Sequence, residues 1–371
     1  MFKPKKMILT AGPSISKKEL KYLTDVAVNG WNWHWSDYIH KFEKKFAQHV
    51  GVKYAIATDG GTGALHLALA AFGIKAGDEV IVPEITWYAC SDVVKYFGAK
   101  PVFVDILKDT WCIDPEKIEK AITKKTKAIM PVYAYGNLAD MDEIMAIANK
   151  HHLYVIEDAC PAGGSIYKGK KPGSIGHAGA YSFQGAKIMV TGYGGMFVTR
   201  DKKIYERAFF LNHRGEDPKK KFWQLETGYS HEMSNILAAF GLAQLERLPE
   251  FVEKKRKIFS WYKSRLGKIT GISMNFERPR TKANCWMSSI VLDKNFGIKR
   301  DEVIKKLREH NIDSRPFFYP ISMFPMYEEQ NTPIAHHVGL NGINLPSGVM
   351  LKKKEIDYVC DSLIQILGVK A

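Results

Sequence analysis

Residues 128–158 read AIMPVYAYGNLADMDEIMAIANKHHLYVIED. The segment opens on an apolar run, Ala128 to Tyr133, passes through a helical pattern over Asp142 to Lys150, and closes on a second apolar run, Leu153 to Glu157. Two near-continuous apolar strands separated by a helix are the unit of a sheet that is largely parallel and covered on both faces. The alternation extends in both directions. Upstream, Leu65, Ala68, Leu69 and Phe72 give Thr62 to Phe72 a helical spacing, and Val80 to Pro83 and Pro101 to Val104 read as strands; downstream, Ala180 to Phe183 and Met196 to Thr199 do the same. The expected fold class is α/β, three-layered, around a mostly parallel sheet.

Beyond residue 200 the pattern changes. A long helix is expected across Asn235 to Arg265, then a β run at Trp286 to Val291 and helices at Asp301 to His310 and Lys353 to Leu367. This mixture predicts a smaller α+β C-terminal domain. The expected division is an N-terminal arm over residues 1–40, a large α/β domain over 41–250 and the small domain over 251–371.

Composition narrows the function classes. Of 371 residues, 46% are hydrophobic and 25% charged, an ordinary globular balance that argues against a disordered or fibrous chain. Apolar stretches such as Ala128 to Tyr135 fall far short of the roughly 20 residues that a membrane span needs. Met1 to Thr10 is basic but has no signal-peptide apolar core, so a cytoplasmic protein is expected. Cys90, Cys112, Cys160, Cys285 and Cys360 form no C-x-x-C pair, which suggests neither a disulfide framework nor a metal site. Lys and Arg total 54 against 39 Asp and Glu, so the net charge is 54 − 39 = +15. The basic clusters, such as Lys168 to Lys171 and Lys352 to Lys354, come without a nucleic-acid-binding signature and read as solvated faces.

Four features lie where a parallel α/β sheet puts its site, at or beyond the C-terminal ends of strands. Asp59-Gly60-Gly61-Thr62-Gly63 follows Tyr54 to Ala57 and starts a helix, so its free N–H groups and the Thr62 hydroxyl suit a phosphate; a plain glycine turn is the competing reading. Glu157-Asp158 ends a buried strand, where a carboxylate must find a partner: a metal, a proton, a cationic nitrogen or a helix N-terminus. Lys187, five residues beyond Ser182, could form a Schiff base if it stands in a desolvated cleft, although an isolated lysine is more often a surface residue. Trp87, in Thr86-Trp87-Tyr88, could stack on a planar ring or fill the core. Phosphate cradle, stacking aromatic, carboxylate and lysine together are the handles pyridoxal phosphate needs.

At this point the chain resembles the DegT/StrS-type nucleotide-sugar aminotransferases, fold-type I pyridoxal phosphate enzymes. The resemblance runs nearly end to end, through Gly77-Asp78-Glu79-Val80-Ile81-Val82-Pro83, Pro101-Val102-Phe103-Val104-Asp105, Ala238-Ala239-Phe240-Gly241-Leu242-Ala243-Gln244-Leu245-Glu246 and Arg315-Pro316-Phe317-Phe318-Tyr319-Pro320. It implies that Lys187 carries the cofactor and serves as proton-transfer base, and that Asp158 pairs with the pyridine nitrogen. It further implies that Trp87 stacks on the ring and that Gly61, Thr62 and Ser182 hold the phosphate. The amine would come from glutamate by way of the pyridoxamine form. The acceptor would be a nucleoside-diphosphate-linked keto-deoxysugar, most often a 4-keto-6-deoxyhexose, and the excess of positive charge suits such an anion. Aminosugar and polysaccharide biosynthesis, a homodimer with shared sites, and no nucleic-acid or membrane partner complete the expectation.

The chain departs from the family pattern at four positions. Pro161 stands where Gln or His is usual, Tyr193 where Glu is common, and Ser230 and Glu232 replace an asparagine and an arginine. Ser230 keeps a shorter-reaching phosphate contact. Trp33 and His34, in Trp31-Asn32-Trp33-His34-Trp35-Ser36, and Tyr319 are candidates for substrate contacts, with packing of the arm as the competing reading of the first two. Alternatives are a C3-keto sugar or keto cyclitol acceptor, or a non-catalytic binding relative. A sugar dehydratase is disfavoured because that chemistry replaces the lysine with histidine and Lys187 is present.

Overall fold

The computed structural model describes residues 4–369; the first three residues of the expected arm, and residues 370 and 371, lie outside the described part. Seven strands form the main sheet, in the spatial order Tyr54–Thr58, Gly195–Thr199, Ala178–Ser182, Tyr154–Asp158, Thr126–Ile129, Glu79–Pro83 and Lys100–Val104. All are parallel apart from Gly195–Thr199, which runs against both its neighbours. Side chains of a strand alternate between the faces of its sheet, and here both faces are apolar. Ala55, Ala57, Ile81, Ile129 and Val155 enter one core, while Ile56, Val80, Val82, Ala128 and Ile156 enter the other. That double burial is why these strands read as continuous hydrophobic runs and not as an alternation.

The first face is covered largely by the helices Asp37–Val50 and Asn235–Leu266, which bring Phe42, Phe46, Ala238 and Leu245 against the sheet. The second is covered by Gly61–Ala71, Ala89–Tyr96 and Lys202–Asn212. Helix Asn235–Leu266 is 32 residues long, starts with the Ser234 hydroxyl accepting from the Leu237 N–H, and continues into a third core beneath a four-stranded antiparallel sheet. Residue 250, the expected boundary, lies inside this helix. We propose the same division of the chain, with the helix as the connector between the two sheets.

Late in that helix stands Lys255, a lysine with no access to water to speak of. Its Nζ donates to the Trp286 carbonyl at 2.7 Å, and burial pushes its pKa down to about 7.

The arm is held by a buried ion pair. Helix Lys17–Asn29 is capped by Ser16, and Glu19 closes the capping box from the first turn. Glu19 is fully buried and accepts from Arg247 Nη1 at 2.7 Å and Gln244 Nε2 at 2.6 Å, both on helix Asn235–Leu266. Burial alone would raise the Glu19 pKa, but the hydrogen bonds from Ser16 and Arg247 outweigh it and bring the carboxyl to about 2. The folded value lies below the unfolded one, so this stabilisation is complete above the ordinary value of 4.5 and is lost as pH falls towards 2. Arg247→Ala, which leaves the buried carboxylate its Ser16 and Gln244 donors but no cation, is expected to cost about 3 kcal/mol in urea unfolding at pH 7, with the deficit shrinking as pH falls towards 2.

Candidate active site

Strand Tyr154–Asp158 ends on two acids, and the pleat sends them to opposite faces. Glu157 accepts from the backbone N–H groups of Gly173, Ile175 and Gly176 at 2.6 to 2.7 Å and from the Tyr133 hydroxyl; it organises the 173–176 turn. Asp158, 5% exposed, faces the other way. Its Oδ2 accepts from the Cys90 thiol at 3.1 Å and its Oδ1 from the Cys160 N–H at 3.0 Å. The carboxylate pair visible in the sequence is therefore divided: Glu157 serves the 173–176 turn, and Asp158 lies on the side of the other candidate residues.

Cys160 links Asp158 to the remaining candidates. Burial drives the Cys160 thiol pKa up, Asp158 adds to that, and Lys187 opposes it, so one sulfur feels both charged groups. The same sulfur lines Gly61: a Cβ built there would fall 2.7 Å from Cys160 Sγ and 2.9 Å from Ser182 Cβ. Gly61 opens helix Gly61–Ala71, whose N-cap, Gly60, offers no side chain to the first-turn N–H groups. These groups stand at a helix N-terminus with exposed Thr62 and half-buried Ser182 beside them, an arrangement that could hold an anion.

The reversed strand aligns the pieces. Gly195 is in register with Thr58 on one side and Ser182 on the other, and Gly194 pairs with Gly60. Gly194 has φ +141°, and a side chain there would strike Met233 Cε and Thr191 Oγ1. The glycine turn 192–195 is thus built for close approach between the cradle and the segment that carries Lys187. Lys187 itself is half-buried, with its Nζ 4.2 Å from the centre of the Trp286 ring.

The other candidates are spread more widely. Trp87, half exposed, sits one turn before Cys90, with its ring 4.0 Å from that of Tyr88 and 5.6 Å from that of Phe318. Tyr319, next to Phe318, accepts from Arg300 Nη2 at 2.9 Å. Ser230 accepts from Arg214 Nη2 at 2.8 Å, and Glu232 faces Arg214 at 3.7 Å and His213 at 3.6 Å. The acid at 232 is therefore balanced by two basic neighbours. His34 contacts Asp37 through Nδ1, and its carbonyl accepts from Asn235; Trp33 stands 94% exposed beside it. Neither takes part in the contacts that join Asp158, Cys160, Gly61 and Ser182. Cys90, Cys160 and Trp286 were not singled out by the sequence; Cys160, two residues beyond Asp158, was the one with a local signal.

The tightness at Gly61 is testable. Gly61→Ala is expected to destabilise the protein by about 1–3 kcal/mol in denaturant unfolding through overpacking against Cys160 and Ser182, and Cys160→Ala on that background is expected to recover part of the loss.

The profile of the DegT/DnrJ/EryC1/StrS aminotransferase family matches residues 13–364. The chain is similar to the GDP-perosamine synthase of Escherichia coli O157:H7, 42% identical over 353 residues, 95% of this chain and 96% of that protein. It is similar also to the GDP-perosamine synthase of Caulobacter vibrioides, 41% identical over 364 residues, 97% and 98% of the two chains. Among solved structures, that of 3-amino-5-hydroxybenzoic acid synthase matches with a TM-score of 0.91 at 26% identity, covering 98% of this chain and 100% of the other. The chain belongs to the DegT/DnrJ/EryC1/StrS aminotransferase family and is a pyridoxal phosphate-dependent aminotransferase.

Proposed function

We propose that the protein moves an amino group from glutamate to a nucleoside-diphosphate-linked 4-keto-6-deoxyhexose, with GDP the first nucleotide to test. The observation that carries the reading is that the buried Asp158 carboxylate and the Lys187 amine both act on the Cys160 sulfur, which itself lines Gly61 at an uncapped helix N-terminus. The residues present fit the cofactor: Gly61 has no room for a Cβ, the first-turn N–H groups have no side-chain cap, and the buried Asp158 accepts from the N–H of Cys160, whose sulfur packs against Gly61. When bound, pyridoxal phosphate supplies an electron sink for the carbon that loses its proton.

The chain's own residues take the remaining tasks. The first-turn N–H groups of Gly61–Ala71, with Thr62 and Ser182, would bind the phosphate. Asp158, oriented by Cys90 and the Cys160 N–H, would hold a proton on the pyridine nitrogen. Trp87 would cover one face of the ring and exclude water. Lys187 Nζ would take the proton from the donor carbon and return it. Ser230, held by Arg214, would add a phosphate contact, and Trp33, His34 and Tyr319 would meet the acceptor.

Two observations favour the acceptor: two of the similar proteins are GDP-perosamine synthases, and the net charge of +15 suits a diphosphate. A homodimer belongs to the same proposal. Trp33 at 94% and Phe222 at 86% exposure are large apolar side chains that a second subunit would cover. A cytoplasmic location accompanies it.

The purified protein is expected to be yellow, and borohydride is expected to fix the cofactor to Lys187 in a peptide map. Lys187→Ala should lose turnover by at least about a thousandfold, and Asp158→Asn by about a hundredfold, with glutamate as donor. A panel of keto acceptors should give the highest kcat/KM for a GDP-linked 4-keto-6-deoxyhexose. Preference for a 3-keto sugar or keto cyclitol would overturn the acceptor, and a colourless protein that cannot be reconstituted would overturn the enzyme assignment of these residues. Light scattering should give a dimer; an active monomer would refute it.

A further inference from the structure

Trp286 lies about a hundred residues from Lys187 in the chain, yet it is fixed to the lysine segment from several directions. Its indole N–H donates to the Ala186 carbonyl at 2.7 Å, immediately before Lys187, and its ring carries the Lys187 Nζ at 4.2 Å. Its carbonyl accepts from Lys255, its backbone N–H donates to Asn284 Oδ1 at 2.9 Å, and its ring lies nearly parallel to that of Tyr135, at 13°. Asn284 in turn donates through Nδ2 to the carbonyls of Pro161 and Gly163, both at 2.9 Å. One short segment thus grips the loop after Asp158 and the loop around Lys187. Cys285, at its centre, adopts φ +52°, a left-handed conformation that a non-glycine residue keeps only where its surroundings hold it.

We propose that the indole face of Trp286 is the seat of the Lys187 amine whenever that amine is not bonded to the cofactor, and that it steadies the ammonium formed when Lys187 accepts the donor's proton. The inference rests on the proton-carrying role given to Lys187 above. The proton leaves the donor carbon, whose electron pair stays behind, and lands on the Nζ lone pair; delivery of the same proton to the cofactor carbon restores the neutral amine. No oxidant or reductant is consumed. A ring face suits this task better than a second carboxylate. It attracts a cation through its quadrupole but offers no basic atom that would keep the proton, and a buried ion pair would hold the ammonium far more strongly. Because Trp286 acts through Lys187, it is a positioning residue.

The test uses holoenzyme of wild type, Trp286→Phe and Trp286→Leu, each reacted with glutamate in a single half-turnover followed by cofactor absorbance and normalised per bound cofactor. Phe keeps a weaker ring face without the N–H, and Leu removes the face. The rate constant is expected to fall roughly threefold in Trp286→Phe and roughly tenfold in Trp286→Leu. The isotope effect with α-deuterated glutamate should grow in the same order, as proton transfer becomes slower than the surrounding steps. A merely structural role would weaken cofactor retention and leave the isotope effect unmoved. Wild-type rate and isotope effect per loaded site in both variants, whether or not loading falls, would overturn the proposal. Lys187→Ala separates it from the reading on which it rests: wild-type half-turnover in that variant sinks the base itself. An inactive Lys187→Ala together with unaffected Trp286 variants sinks only the seat.

Discussion

Much of this protein depends on one reversed strand. Because Gly195–Thr199 runs against its neighbours, its first residue, and not its last, lies at the site end of the sheet, level with Thr58 and Ser182. The segment between Ser182 and Gly195 therefore leaves the sheet and returns to it at the same end. Lys187 has to stand near the ends of the parallel strands, whatever the details of the loop. A parallel strand in that place would have needed a crossover to the far side and would have carried the lysine away. Closing so short a loop costs little chain entropy compared with a crossover, and the turn 192–195 makes the return possible by bringing backbone against backbone.

The parts of the site that were legible in the sequence are those whose meaning is local. A glycine-rich turn feeding a helix, an acid ending an apolar strand and a lysine just past another strand can each be placed by counting residues. Their convergence follows from the rule that parallel strands present their C-terminal ends together. The division of labour between Glu157 and Asp158 was half legible: neighbours on a strand must face opposite ways, but which face held the site required the sheet order. Cys90, Asn284 and Trp286 carried no signal, because each acquires its role from a partner about 70 to 120 residues away. Ser230 and Glu232 were visible as departures from the family pattern, but their pairing with His213 and Arg214, fewer than about 20 residues upstream, was not.

Fold boundaries were legible to about the precision of hydrophobic periodicity. The long helix expected over Asn235 to Arg265 spans Asn235–Leu266, whereas the run expected over Ala128 to Tyr133 is a strand only over Thr126–Ile129. The difference has a physical origin. Beyond Ile129 only an isolated bridge between Val132 and Asp158 keeps the chain beside strand Tyr154–Asp158, and Tyr135, at φ +54°, is buried by packing in the core and not by pairing in the sheet. An apolar run signals burial; it does not distinguish a strand from the loop that follows it.

Lys255 has a consequence of a different kind. Burial holds it near 7, against 10.5 for a lysine in water, so at pH values between these the folded chain is mostly without that proton and the unfolded chain has it. Unfolding then draws a proton from solution, and this group alone makes the fold more stable as pH rises through the interval. In calorimetry the absorbed heat would include the ionisation of whichever buffer gives up the proton. Melting experiments at alkaline pH in buffers of small and large ionisation enthalpy would report different apparent enthalpies for the same transition.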